Sequence, residues 1–301
     1  MWGGRALETK LGRALPVSGP VGESWDLVDR VDAQSVVDRG EFKGTTLHEL
    51  WKWHREAVFG RGYPDAPRFP LLFKILDASE LLSVQVHPPE SVAQKLNGEP
   101  KTEAWFFLET TSEAEVYAGF RKGITRESFE KGLRDGELAS LLHKISVQSG
   151  DALLVASGRC HAIGAGCLIA ELQQNSDTTY RVYDWDRIGL DGKPRELHID
   201  ESLQCIDFED HEPTLLKPEG ELVVECPYFR MEHWELSQDR PALDPEGSAA
   251  FFLVSQGVIE CGDRLFKRGE TFLVPATASD LKLIPKTPQA AVLKSSVPEV
   301  A

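Results

Sequence analysis

The feature that most constrains this chain is a succession of short apolar runs, each closed by turn-forming residues. Leu71–Leu76 and Leu82–Val86 are separated by Asp77-Ala78-Ser79-Glu80, and Trp105–Leu108, Glu115–Gly119, Ala152–Ala156 and Cys167–Gln173 follow, with glycine turns at Gly158 and Gly164–Gly166. Runs of this length and composition read as strands. Helical periodicity intrudes without alternating regularly with them. Residues 45–57 place Leu47, Leu50, Trp51 and His54 on one face, with Thr45 or Thr46 available as a cap. A short helix is expected over Glu90–Leu96, after two prolines. Residues 125–142 suggest two short helices around Asp135-Gly136. This pattern favours an antiparallel barrel or jelly roll with helical insertions over a doubly wound parallel sheet.

Beyond Cys205 the stretch Asp207–Glu221 is acidic, contains two prolines and reads as a linker. Strands then recur at Leu222–Cys226, Phe229–Leu236, Ala250–Ser255, Val258–Cys261, Thr271–Val274 and Leu281–Ile284. The expected division is therefore a first domain over 1–206, a linker over 207–221 and a smaller all-β, barrel-like domain over 222–301. His233 stands alone in that last stretch, so it is expected to be structural.

A net charge of −15 argues against nucleic acid as a partner, because phosphate backbones require a basic face. It leaves room for a small anion, since a few local Arg or Lys residues can hold one phosphate. No apolar run approaches the roughly 20 residues needed to span a bilayer, and the N-terminus lacks a signal-peptide pattern. The five cysteines show no C-x-x-C spacing, which points to buried free thiols and a reducing cytoplasm.

The candidate chemistry begins in Leu82-Ser83-Val84-Gln85-Val86-His87-Pro88, where polar and apolar residues alternate. Residues two apart share a strand face, so Gln85 and His87 can reach one ion together. Glu103 precedes an apolar run, and His161 lies downstream between glycines. Two imidazoles, a carboxylate and an amide oxygen suit zinc, and geometry alone also admits iron, manganese or cobalt. His48 and His54 are six apart, not the four that a helical metal pair needs, and read as surface or packing residues. The segment from Glu171 to Asp184 is unusually polar for one flanked by strands, and it suits a sugar or phosphate site.

Taken together, Trp2-Gly3-Gly4, Leu82–Pro88, Lys101-Thr102-Glu103, His161-Ala162-Ile163-Gly164, Gln173–Asp184 and Arg195-Glu196-Leu197-His198 resemble the type I mannose-6-phosphate isomerases, in their short bacterial form. The resemblance covers residues 2 to about 206; the remainder matches only in general character. The family usually carries a strand before Trp-Gly-Gly, whereas here the motif follows Met1 directly, so that strand is absent or the chain starts upstream. The resemblance implies a cupin-type jelly roll that holds one zinc ion and interconverts mannose 6-phosphate and fructose 6-phosphate. It assigns Gln85, His87, Glu103 and His161 to the metal, Arg181 and Lys101 to the active site, and Ser83, Glu171 and Asp177 to the pocket. Proton transfer through an enediol then needs a base, for which Glu171, Asp177, Lys101 and a metal-bound water are candidates. Arg181 suits either the developing oxyanion or the phosphate. Jelly rolls host many functions, so a non-catalytic sugar-phosphate-binding regulator, a metal-dependent oxygenase and an isomerase for another sugar are the rival readings.

Overall fold

The computed structural model describes residues 2–60, 63–188, 192–243, 248–278 and 280–298. It is mainly antiparallel β, and it divides into two compact units. The first comprises the N-terminus to Gly4, Gly19–Ser24 and Ile75–Leu216; the second comprises Arg5–Ser18, Trp25–Lys74 and Lys217 onward. This differs from the single division expected near residue 206, because residues 25–74 group with chain that follows them by more than a hundred positions. Contacts at such separation leave no local signature.

In chain order the first ten strands are β1 (Glu23–Leu27), β2 (Leu71–Ala78), β3 (Val84–Val86), β4 (Glu103–Thr110) and β5 (Glu115–Phe120), then β6 (Leu142–Ser146), β7 (Ala152–Val155), β8 (His161–Ile163), β9 (Cys167–Gln174) and β10 (Tyr180–Tyr183). They form two sheets, ordered β1-β2-β9-β4-β7 and β10-β3-β8-β5-β6. The boundary between units falls inside β1 and β2. Within the first unit the inner faces of the two sheets meet: Trp105, Phe107, Leu153 and Ile169 from one pack in a single buried cluster with Val116, Ala118 and Ile163 from the other. The alternating residues Val84, Val86, Ala162, Tyr180 and Val182 point the opposite way, into a separate core with Phe129, Leu138 and Cys205. Period-two alternation therefore sorts each strand of the second sheet into an inner and an outer face.

Phe129 comes from the helix Arg126–Asp135, which opens on a capping box between Thr125 and Ser128 and closes on left-handed Gly136. A single 3-10 turn, Leu138–Ser140, replaces the second helix expected there, and β6 starts at Leu142. Cys205 ends the helix Ile199–Cys205. Residues 207–216, expected as linker, instead lie along this unit. Asp210 accepts from Arg159 Nε at 2.7 Å and Nη2 at 2.8 Å, Phe120 N donates to Asp210 O, and Leu216 N donates to Ala152 O. A side chain at Gly119 (φ +64°) would meet Asp210 O at 2.5 Å, so the close approach requires glycine.

The second unit continues with β11 (Leu222–Glu225), β12 (Arg230–Leu236), β13 (Arg240–Pro241), β14 (Ala250–Gln256) and β15 (Val258–Cys261), followed by β16 (Arg264–Lys267), β17 (Thr271–Val274), β18 (Lys282–Pro285) and β19 (Ala290–Ser296). Its sheets run β11-β12-β19-β14-β17 and β13-β18-β15-β16. Trp234, Phe252 and Val292 from one pack with Ile259, Phe266 and Leu283 from the other. Among the described residues three helices belong to the same unit: Ala6–Thr9, Leu47–Trp53, capped by Thr46 with Glu49, and Arg55–Phe59. His48 Nδ1 lies 3.2 Å from buried Asp29 and His54 packs on Phe42, so neither faces a metal cluster. All five cysteines are free; four are buried and Cys226 is half-buried.

Candidate metal centre

Strand register gathers the polar residues. Gln85 on β3 pairs directly with His161 on β8 and, on its other side, with Arg181 on β10. Directly opposed residues share a face, so Gln85, His161 and Arg181 all lie on the inner face, with Ser83 and His87 two positions either side of Gln85. On the facing sheet, Glu103 opens β4 opposite Gln173, and Trp105 lies opposite Glu171. A slip of one residue in β3 would send Gln85 and His87 outward and bring two valines in.

Three of these side chains converge. His87, Glu103 and His161 are buried, and each offers a ligand atom within 4.8 Å of the others. Glu103 Oε2 lies 3.3 Å from His87 Nε2, and Oε1 lies 3.6 Å from His161 Nε2. The far nitrogens are tied back: His87 Nδ1 donates to Thr178 O at 3.0 Å and His161 Nδ1 to Arg159 O at 2.9 Å. That fixes the tautomer with Nε2 unprotonated and aimed inward. His87 Nε2 and Glu103 Oε1 are buried without a hydrogen-bond partner, while Glu103 Oε2 has the Lys101 ammonium at 3.0 Å. Buried polar atoms are rarely left so, and their convergence with His161 makes a site suited to a cation. The Gln85 amide nitrogen is 3.2 Å from His161 Nε2, and a half-turn of the amide sets its oxygen in that place.

The electrostatics favour the same use. Burial lowers the His87 pKa, aided by the Lys101 cation. Burial also pushes His161 down to about 3, with His87 beside it adding to the shift. Both imidazoles are therefore neutral, the form that can donate a lone pair. Burial alone would raise the Glu103 carboxyl, but Lys101, whose Nζ is 3.0 Å away, together with His87 and His161 outweighs it and holds Glu103 well below the usual carboxylate range. Burial likewise opposes the Lys101 charge, yet Glu103 and Glu171 overcome it and raise the lysine pKa.

The remaining candidates surround this group. Glu171 is buried and accepts from Trp105 Nε1 at 3.0 Å. Asp177 is exposed on the loop before β10, and its charge acts on Lys101. Arg181 donates from Nε to Ser83 Oγ at 3.3 Å and from Nη1 to Glu196 O at 2.9 Å. Burial, then the neighbouring Arg195, lowers its pKa. Arg187 pairs with Asp184, and Arg195 Nη1 lies 3.7 Å from the same carboxylate. Among the described residues no other His, Cys, Asp and Glu cluster of this kind occurs.

Several contributors had no sequence signal. Thr178 and Arg159 act through backbone carbonyls, which any residue supplies. Trp105 reads as core until register sets its indole against Glu171. His198, whose Nδ1 accepts from Arg181 N, and Glu196 lie in a motif already noticed, but without a role.

Residues 1–117 match the family model for the phosphomannose isomerase type I catalytic domain. The chain is 40% identical over 306 residues to mannose-6-phosphate isomerase ManA of Bacillus subtilis, covering 94% of this chain and 92% of that protein. It is similar to the crystal structure of the mannose 6-phosphate isomerase from Bacillus subtilis, with a TM-score of 0.86 and 31% identity, covering 98% and 96% of the two chains. A mannose 6-phosphate isomerase bound with zinc and yttrium shares the fold at a TM-score of 0.74 and 17% identity, covering 98% and 96%.

Proposed function

The chain belongs to the type I phosphomannose isomerase family, and from that premise we propose that it interconverts mannose 6-phosphate and fructose 6-phosphate at the His87–Glu103–His161 centre, with one zinc ion bound there. The observation that carries this reading is the convergence of buried His87, Glu103 and His161, with His87 Nε2 and Glu103 Oε1 left without a hydrogen-bond partner. Those residues, His161 and the Gln85 amide oxygen would hold the ion. Zinc fits two neutral imidazoles, a carboxylate and one amide oxygen, and it also binds in the similar isomerase noted above. Bound there, zinc supplies Lewis-acid polarisation of the sugar oxygens.

In the reaction a proton leaves C2 of the open-chain aldose and arrives at C1, while the O2 hydroxyl proton passes to O1. Glu171 is our candidate to carry the carbon-bound proton: it is buried beside the centre, and Trp105 Nε1 orients one of its oxygens. Lys101 is held protonated by its two carboxylate neighbours, so it serves as a fixed cation against the oxyanion rather than as a base. Arg181 has two of its five donors engaged by Ser83 and Glu196, and the others can meet anionic substrate oxygens. Ser83 braces Arg181, and Asp177 accepts from a sugar hydroxyl at the exposed rim. The low dielectric of the buried site strengthens each of these charges.

The partner is thus a small phosphorylated sugar. No helix among the described residues is long and apolar enough to cross a membrane. Unpaired cysteines accord with a reducing, cytoplasmic setting. The deciding experiment is turnover of mannose 6-phosphate by metal-stripped protein with and without added zinc. Zinc-restored formation of fructose 6-phosphate is the expected result; zinc-loaded protein that leaves the sugar unchanged rejects the reading.

A further inference from the structure

We propose that Gln173 is a positioning residue for this centre: its amide braces the loop whose Thr178 carbonyl sets the tautomer and direction of His87. The inference rests on the metal-binding reading above. Gln173 lies near the end of β9, directly opposite Glu103, with no exposed surface. Both of its amide protons are engaged by the loop, since Nε2 donates to Ser176 O at 2.6 Å and to Gln174 O at 2.9 Å. The planar amide then turns Oε1 away from both carbonyls, and Oε1 is buried without a hydrogen-bond partner. The reverse orientation would set that oxygen against two carbonyl oxygens.

A buried acceptor left unmet is destabilising, so packing alone would favour an apolar residue at this position. The amide's return is the shape of the loop. From Ser176 the bracing runs on without a gap: Ser176 Oγ donates to Glu99 O at 3.0 Å and accepts from Thr178 N at 3.2 Å. Thr178 Oγ1 accepts from Glu99 N at 3.0 Å, and Thr178 O accepts from His87 Nδ1 at 3.0 Å. Gln174 is pinned from the other side, its N donating to Thr102 O at 3.1 Å and its Oε1 accepting from Thr102 N at 2.9 Å. Gln173 thereby joins the strand carrying no ligand to the imidazole of a strand that carries two.

The test is zinc affinity of metal-stripped protein by chelator competition, with thermal unfolding alongside. Methionine matches glutamine in length and lacks its hydrogen bonds, so Q173M should fold with a melting temperature near the parent's. Its zinc affinity should fall about tenfold, in the range typical of partners that orient metal ligands. Rigid packing alone would not move zinc affinity in a protein of unchanged melting temperature. Parental affinity in Q173M overturns the proposal. Should Q173M not fold, S176A decides: severalfold weaker zinc binding is expected from losing the Ser176–Thr178 link, and unchanged affinity overturns the proposal. A parent that binds no zinc overturns the metal-binding reading and this inference together, whereas a zinc-binding parent matched by its variants overturns this inference alone.

Discussion

The two units repeat one strand order with opposite contents. In the first, β2-β9-β4-β7 faces β3-β8-β5-β6; in the second, β12-β19-β14-β17 faces β13-β18-β15-β16. The position of β3, which carries Gln85 and leads into His87, is taken in the second unit by the two-residue strand Arg240–Pro241. The position of β4, which opens on Glu103, is taken by a strand opening on Ala250-Phe251-Phe252. Where Glu171 lies opposite Trp105, Lys294 lies opposite Phe252. Lys294 is buried, pairs with Glu232 at 3.3 Å and sits over the Trp234 ring. Both interiors are therefore polar, but one closes its charges on each other and the other leaves lone pairs facing a common point. A jelly roll supplies positions; the side chains at a few strand starts decide whether they become a site.

The comparison breaks most sharply at His161. H161A should abolish zinc binding and lower turnover about a thousandfold, the equivalent of ~4 kcal/mol, as read by metal content and isomerase assay. A metal-replete, active variant would erase the difference between the units. In the second unit, K294M strands Glu232 in a buried setting and should destabilise the fold by about 3 kcal/mol in urea denaturation. Arg230, 3.1 Å from the same carboxylate, moderates the loss. Zinc affinity should not change, and a loss of zinc in K294M would mean that the second unit contributes to the centre.

R181A should cost about a hundredfold in turnover efficiency, near 2.7 kcal/mol, with zinc content unchanged. Comparing mannose 6-phosphate with mannose then sharpens its role. A defect confined to the phosphorylated sugar places Arg181 at the phosphate, and an equal defect on both places it at the reacting carbons. The effect that is smallest per pH unit concerns acid. Burial holds His161 at about 3 in the fold against an ordinary 6.5, so below pH 6.5 the unfolded chain binds a proton that the folded chain refuses. Metal-free protein should lose stability as pH falls from 6.5 toward 3, on the order of 1 kcal/mol per pH unit for that residue. The H161A variant should show a flatter profile in thermal unfolding, and an identical slope would remove His161 as its source.

Legibility followed hydrophobic pattern. The alternation from Leu82 to Pro88 assigns faces without a structure, because one side of β3 meets Val-lined core and the other the His87–Glu103–His161 cluster. Tyr180–Tyr183 is a strand that reads as polar loop, since its inner face presents Arg181 to the site. Ala290–Ser296 is equally hidden: alanine, serine and lysine are poor strand signals, and partners across the sheet such as Glu232 make a buried Lys294 tenable. His161–Ile163 is too short to stand out from the glycine turns around it.

By itself the sequence determined the β-rich class, the identity of the candidate ligands and, through motif resemblance, the family. Those are properties of residue type and local period, which short stretches carry in full. Tertiary structure alone decided that Gln85, His161 and Arg181 share one face, that Thr178 and Arg159 carbonyls hold the imidazoles, and that residues 25–74 group with the C-terminal strands. Each depends on which distant backbone lies alongside, and that is settled by burying whole faces of sheet together rather than by any residue's own preference.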